Sequence, residues 1–185
     1  MSIRTFMAAT VAAAVLVPAA AEAGPVLDQI KKDGKIICIV NPKSPGFSVP
    51  DAQGVFQGFN VDFCRMAAAA IFGDASKVDI RGVGFSDSLK TLVAGGGHMA
   101  SRSITVTGTR DADPGLAFVT TTFYDGQGFM VPKATGLKSA KQLDGATVCA
   151  EEGSTTLQNL ADWFAEAKLK YKIENFTDMN ARLQA

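Results

Sequence analysis

Ile36-Ile37-Cys38-Ile39-Val40 is an unbroken apolar run of mostly β-branched residues, closed off by Gly34 on one side and Asn41-Pro42 on the other. A strand with one face in water alternates apolar and polar residues, whereas a strand without polar positions must be covered on both faces. That requirement points to a buried strand of a parallel sheet flanked by helices. The surrounding pattern agrees. Residues 28–35 form a short helix-prone lead-in. Residues 42–58 are rich in Pro, Gly and Ser and predict a loop, with a hairpin at Ala52-Gln53-Gly54. Asn60 is placed to cap a helix reaching Phe72 and stopping at Gly73. Residues 78–83 predict a second strand, Ser86 starts a second helix ending in Gly95-Gly96-Gly97, and residues 98–101 predict a third strand. This β-α-β-α-β rhythm predicts an α/β fold with a doubly wound parallel sheet.

The character then changes. Residues 118–131 contain two β-rich pieces around Asp125-Gly126 and pass into Pro132-Lys133. Residues 139–143 suggest one helical turn, and residues 146–150 another apolar strand. Gly153-Ser154-Thr155-Thr156 opens an amphipathic helix reaching Lys168, with Leu157, Leu160, Ala161 and Phe164 on one face. Residues 171–176 predict a strand, and a helix is expected from Asp178 onward. An α/β sheet needs later strands and helices to cover its faces and edges, so a further C-terminal portion is expected.

The first residues form a unit of their own. Arg4 precedes an apolar run over 6–17, then Pro18, and Ala21-x-Ala23 fits the small-residue rule of a signal peptidase. Residues 1–23 are therefore read as a signal peptide cleaved before Gly24. The run lacks the polar face of an amphipathic helix and is shorter than the ~20 residues that span a bilayer. Export implies an oxidising compartment. The three cysteines are Cys38, Cys64 and Cys149. They allow one bridge with one unpaired thiol, or three buried thiols. Lys+Arg and Asp+Glu both number 18, so net charge gives no reason to expect nucleic acid or an acidic membrane as partner.

The segment that carries chemistry is Ser101-Arg102-Ser103-Ile104-Thr105-Val106-Thr107-Gly108-Thr109-Arg110. It holds five hydroxyls and two guanidinium groups just after a predicted strand. Ligands of open α/β sheets bind outside the carboxyl ends of strands. Ser103 and Thr105, two apart, share one side of an extended chain, and Arg110 carries a planar fork that matches a carboxylate. Ser154 and Thr155 stand at a helix start, where free N–H groups and the helix dipole favour an anion. Two carboxylate-ready segments in successive α/β units suggest one small ligand between them. The bland alternatives are a solvated polar loop for the first segment and a plain N-cap for the second.

Three segments resemble the general L-amino-acid-binding proteins of polar-amino-acid ABC importers, within solute-binding protein family 3. They are residues 58–65 (GFNVDFCR), 122–133 (TFYDGQGFMVPK) and 139–149 (SAKQLDGATVC). The resemblance covers the chain from Val26 to Ala185. It implies a periplasmic-binding-protein-like fold of the two-lobed type II, joined by crossing strands that close over the ligand. Residues 24–131 would form the N-terminal part of lobe 1, and 132–185 part of lobe 2. It implies an L-amino acid as ligand, a permease of the inner membrane as partner, a periplasmic location and no cofactor. Ser103, Thr105 and Arg110 match the family spacing of ligand-holding residues, with Arg110 on the α-carboxylate and Thr155, beside Ser154, meeting it from lobe 2. The acidic residue that receives the ammonium group lies later in the family and has no match here. The resemblance also pairs Cys38 with Cys64 and leaves Cys149 to a cysteine of the second half. The chain departs from the family at Gly97-His98, where a hydrophobic-Asp pair is usual. It departs again at Ser44-Pro45, where an aromatic is frequent.

His98 is the only histidine and lacks partners at zinc-ligand spacing. Gly95-Gly96-Gly97 is not followed by the Gly-Lys-Ser/Thr of a phosphate loop. Trp163, Phe47, Phe59 and Phe129 are read as core, with Phe47 kept as a secondary candidate for packing on a ligand. Two rivals remain: a cyclohexadienyl dehydratase on the same scaffold, with Glu152 as its sole local acid–base candidate, and a remnant that does not bind.

Overall fold

The computed structural model describes residues 24–113, 115–177, 181 and 183. Residues 1–23, expected to form a signal peptide, and most of the helix expected from Asp178 lie outside the described residues.

The apolar run forms strand β1 (Ile36–Val40), preceded by helix α1 (Pro25–Asp33). A hairpin follows, β2 (Val49–Pro50) against β3 (Phe56–Gln57), around the Ala52-Gln53-Gly54 turn. Then come helix α2 (Phe59–Phe72), strand β4 (Val78–Gly82), helix α3 (Phe85–Val93) and strand β5 (Met99–Ala100). The sheet order is β4-β1-β5 with both pairings parallel, so β1 is the central strand, as its all-apolar sequence requires. Four of its residues are buried, Cys38, Ile39 and Val40 completely. Helix α2 lays Val61, Cys64 and Ala68 on this strand, with Ile30 of α1 closing the cluster. Cys38 of β1 and Cys64 of α2 form a disulfide at the centre of that packing.

Two local expectations are corrected. The N-cap of α2 is Gly58, not Asn60. Gly58 adopts φ 122°, and a Cβ there would lie 2.6 Å from the Phe47 carbonyl oxygen. The loop carbonyls of Gly46 and Phe47 accept the N–H groups of Phe59 and Asn60, so a tertiary contact caps the helix and Asn60 is buried inside it. The third strand is shorter than 98–101, because His98 joins β1 differently. Its backbone N–H donates to Ile37 O (2.9 Å), while its ring Nδ1 accepts the Ile37 N–H (3.1 Å). The imidazole thus supplies an acceptor that a strand would take from its own backbone, and the regular ladder begins one residue later at Met99.

A second sheet pairs β6 (Ala146–Glu151) with β7 (Tyr171–Phe176) in parallel across the amphipathic helix α5 (Thr155–Ala167). Leu143, Leu160 and Phe164 form its core, with Phe129, Trp163 and Tyr171 packed around them. The Phe164 ring stacks on Tyr171 at 4.4 Å and meets Trp163 edge-on at 5.0 Å. Trp163 is half-buried and packs against this core. Cys149 on β6 is half-buried and not in a disulfide.

Between the sheets, a short helix α4 (Gly108–Asp111) interrupts the polar segment, and residues 116–132 carry no strand. The two β-rich pieces expected over 118–131 are therefore not formed as paired strands. β-propensity reflects fit to a pleated neighbour, and no strand among the described residues lies alongside to supply the ladder. Val119, Tyr124 and Met130 consequently stand exposed. The segment is held instead by rings: Phe123 lies 5.3 Å from Phe47 and 6.0 Å from Phe59.

Candidate functional site

Folding brings the two hydroxyl-rich segments together. Oγ1 of Thr105 and Oγ1 of Thr155 lie 3.0 Å apart across 50 residues of sequence. Thr105 sits just beyond the carboxyl end of β5. Thr155 opens α5, where the first-turn N–H groups have no intrahelical acceptor and the dipole is positive. Ser154 is the N-cap: its Oγ accepts the Leu157 N–H (3.2 Å) and donates to Glu151 O (2.6 Å). With donor and acceptor both engaged, Ser154 fixes the helix start and leaves the Thr155 hydroxyl facing Thr105.

Arg110 lies in α4, whose N-cap Thr107 accepts the Arg110 N–H (3.2 Å). Its Nη1 donates to Thr105 O (2.9 Å), which ties the guanidinium to the threonine that meets the second segment. Partial burial pulls the Arg110 pKa below its ordinary value, but the group remains a cation at neutral pH. One N–H of the fork is used internally, leaving others for an anion. Ser103 is exposed on the same segment, and no hydrogen bond joins it to Thr105, Arg110 or Thr155.

Sequence reasoning left two residues out of the site. Arg102 is buried, and its Nη1 donates to the carbonyls of Val83 (2.8 Å) and Gly84 (3.2 Å) at the turn into α3. Burial lowers its pKa, and the negative charge of Glu151 opposes that shift. Phe85, the first residue of α3, has Arg102 over its ring at 5.2 Å and Arg110 at 6.0 Å. The density of arginine in the segment was a signal for this contact, but Phe85 is far away in sequence.

Gln127 donates to Thr156 O (3.0 Å) and accepts from Asn159 Nδ2 (3.1 Å), tying the extended segment to the start of α5. Phe47 packs against Phe59 at 5.8 Å as well as Phe123. Glu152 is exposed at the end of β6, its N–H bonded to Phe176 O. No group of three or more His, Cys, Asp or Glu among the described residues could hold a metal ion.

A hydroxyl pair across two α/β units, a tethered guanidinium and a helix start are set side by side. Comparison with known proteins shows the family. The profile of the bacterial extracellular solute-binding proteins, family 3, matches residues 36–182. The chain belongs to this family. It is 44% identical over 169 residues to the glutamate/glutamine/aspartate/asparagine-binding protein BztA of Rhodobacter capsulatus, covering 91% of this chain and 50% of that protein. It is 41% identical over 183 residues to the general L-amino acid-binding periplasmic protein AapJ of Rhizobium johnstonii, covering 97% of this chain and 54% of that protein. A periplasmic binding protein of Brucella ovis, solved with glutathione bound, superposes with a TM-score of 0.82 at 37% identity, over 86% of this chain and 50% of that one. The fold is periplasmic-binding-protein-like, and the chain spans about half the length of the relatives it matches. Among the described residues no helix is long and apolar enough to cross a membrane.

Proposed function

We propose that this chain carries the carboxylate-holding end of an amino-acid-binding cleft. It serves as the substrate-binding component of an ABC importer that captures L-amino acids in the periplasm for a membrane permease. It binds and performs no chemistry. The observation that carries this reading is the 3.0 Å contact between Thr105 and Thr155, which sets Arg110 and the α5 helix start around one point. Residues 24–131 are assigned to lobe 1 and 132–185 to part of lobe 2, with residues 1–23 as the cleaved export signal. Arg110 holds the α-carboxylate, Thr105 and Thr155 bond its oxygens, Ser154 orients Thr155, and Ser103 joins on closure. Closure follows because a ligand touching both lobes favours the closed state by its differential contacts.

The relatives narrow the ligand class. One is named for glutamate, glutamine, aspartate and asparagine, and a solved relative holds glutathione, whose γ-glutamyl end carries a free α-amino-acid head. L-α-amino acids with polar side chains, L-glutamine first among them, are the proposed ligands.

Arg110→Ala tests the assignment. A charge-assisted bond to a carboxylate in a half-buried site is worth a few kcal/mol, so Kd for L-glutamine should rise on the order of a hundredfold in isothermal titration calorimetry. A change under about twofold, in a variant of unaltered circular dichroism, would remove Arg110 from the site.

A further inference from the structure

We propose that Phe85 is a positioning residue for the ligand-binding guanidinium of Arg110, and that buried Arg102 sets the ring in place; this rests on the assignment of Arg110 to the carboxylate. An arginine side chain has much rotamer freedom, and a free one must be ordered when the ligand arrives. Arg110 is ordered beforehand by two contacts: its bond to Thr105 O at 2.9 Å, and the Phe85 ring at 6.0 Å. A ring face attracts a guanidinium through its quadrupole without using any N–H, so the fork stays available for a carboxylate.

The ring needs its own anchor, and Arg102 supplies it. It is less than a tenth exposed, bonded to the carbonyls of Val83 and Gly84 just before Phe85, and lies over the ring at 5.2 Å. Its two bonds hold the turn into α3, so the first residue of that helix has one placement. Two cations drawn to one ring repel each other in solvent. Here the first is buried and fixed, and the second is tethered, so the ring is the common attractor that sets the distance between them. The chain Val83/Gly84–Arg102–Phe85–Arg110–Thr105 runs from one sheet-end loop to the other.

The test uses the full chain and two readouts. The first needs no ligand. Side-chain protons of Arg110, assigned by their loss in Arg110→Ala, should be shifted upfield by the ring current in NMR spectra. The shift should vanish in Phe85→Leu, persist in Phe85→Trp, and diminish in Arg102→Met. Arg110 protons at ordinary positions, or unmoved by Phe85→Leu, would overturn the proposal. The second readout is a double-mutant cycle by titration with L-glutamine. Phe85→Leu should weaken binding about tenfold in the wild-type background and have little further effect in Arg110→Ala. An equal loss in both backgrounds would mean that Phe85 acts directly on the ligand, and would overturn the proposal. If no amino acid binds, the functional reading fails by itself, and the ring-current measurement still decides the role of Phe85.

Discussion

Phe164→Ala is expected to remove about 4 kcal/mol of stability, the largest effect of any single substitution considered. Phe164 is fully buried and makes ring contacts with Trp163 (5.0 Å), Phe129 (5.9 Å) and Tyr171 (4.4 Å). Truncation loses the transfer free energy of the ring and leaves a cavity, and two of its neighbours, Phe129 and Trp163, are held against each other at 5.1 Å. The neighbours belong to α5, β7 and the extended segment, so one side chain joins three pieces of the second sheet's core. A native domain has only about 5–15 kcal/mol in hand, so the loss is a large share of the total. Trp163 is the only tryptophan and touches Phe164, so its fluorescence reports the unfolding of this cluster directly. The urea midpoint followed by that signal should fall well below the wild-type value. A loss under about 1 kcal/mol would show that the cluster is not the core of its unit.

Removing the bridge between Cys38 and Cys64 is expected to cost about 3.5 kcal/mol. The cysteines are 26 residues apart, and cross-linking them denies the unfolded chain the freedom of that loop. Both are fully buried between β1 and α2, so the Cys38→Ala/Cys64→Ala variant also loses packing at the centre of the first core. The thermal midpoint should fall by roughly 10 °C. Burial also predicts that the native bridge resists mild reductant until the unit opens, so reductant should lower the midpoint of the wild type and leave the double variant unchanged. Equal midpoints for wild type and variant under oxidising conditions would contradict the pairing.

What could be read before the structure follows from how local each signal is. Ile36–Val40 was legible because an all-apolar strand permits one environment, and it became the centre of the first sheet. The start of α5 was legible because Ser154 is a capping residue placed before an apolar stripe of the right period. The Thr105–Thr155 meeting was suggested by chemistry, through two anion-ready segments, not by any spacing between them. The failures are non-local. Asn60 looks like a cap, but Gly58 takes that position because the Phe47 carbonyl approaches too closely for a Cβ. Residues 118–131 have strand composition without an adjacent strand, and composition alone cannot supply a hydrogen-bonding partner. His98 has no partners at metal-ligand spacing in the sequence, and its role as an acceptor for the Ile37 N–H depends on a contact 61 residues away. Phe85 between two arginines was invisible for the same reason.

The most direct measurement of the central claim is isothermal titration calorimetry of the chain with L-glutamine and with its decarboxylated amine. The proposed function assigns Arg110, Thr105 and Thr155 to the ligand carboxylate, so saturable heat is predicted for L-glutamine and none for the amine. No heat with either, from protein shown folded by circular dichroism, would contradict amino-acid binding by this chain, and equal heat with both would contradict the assignment of these residues to the carboxylate.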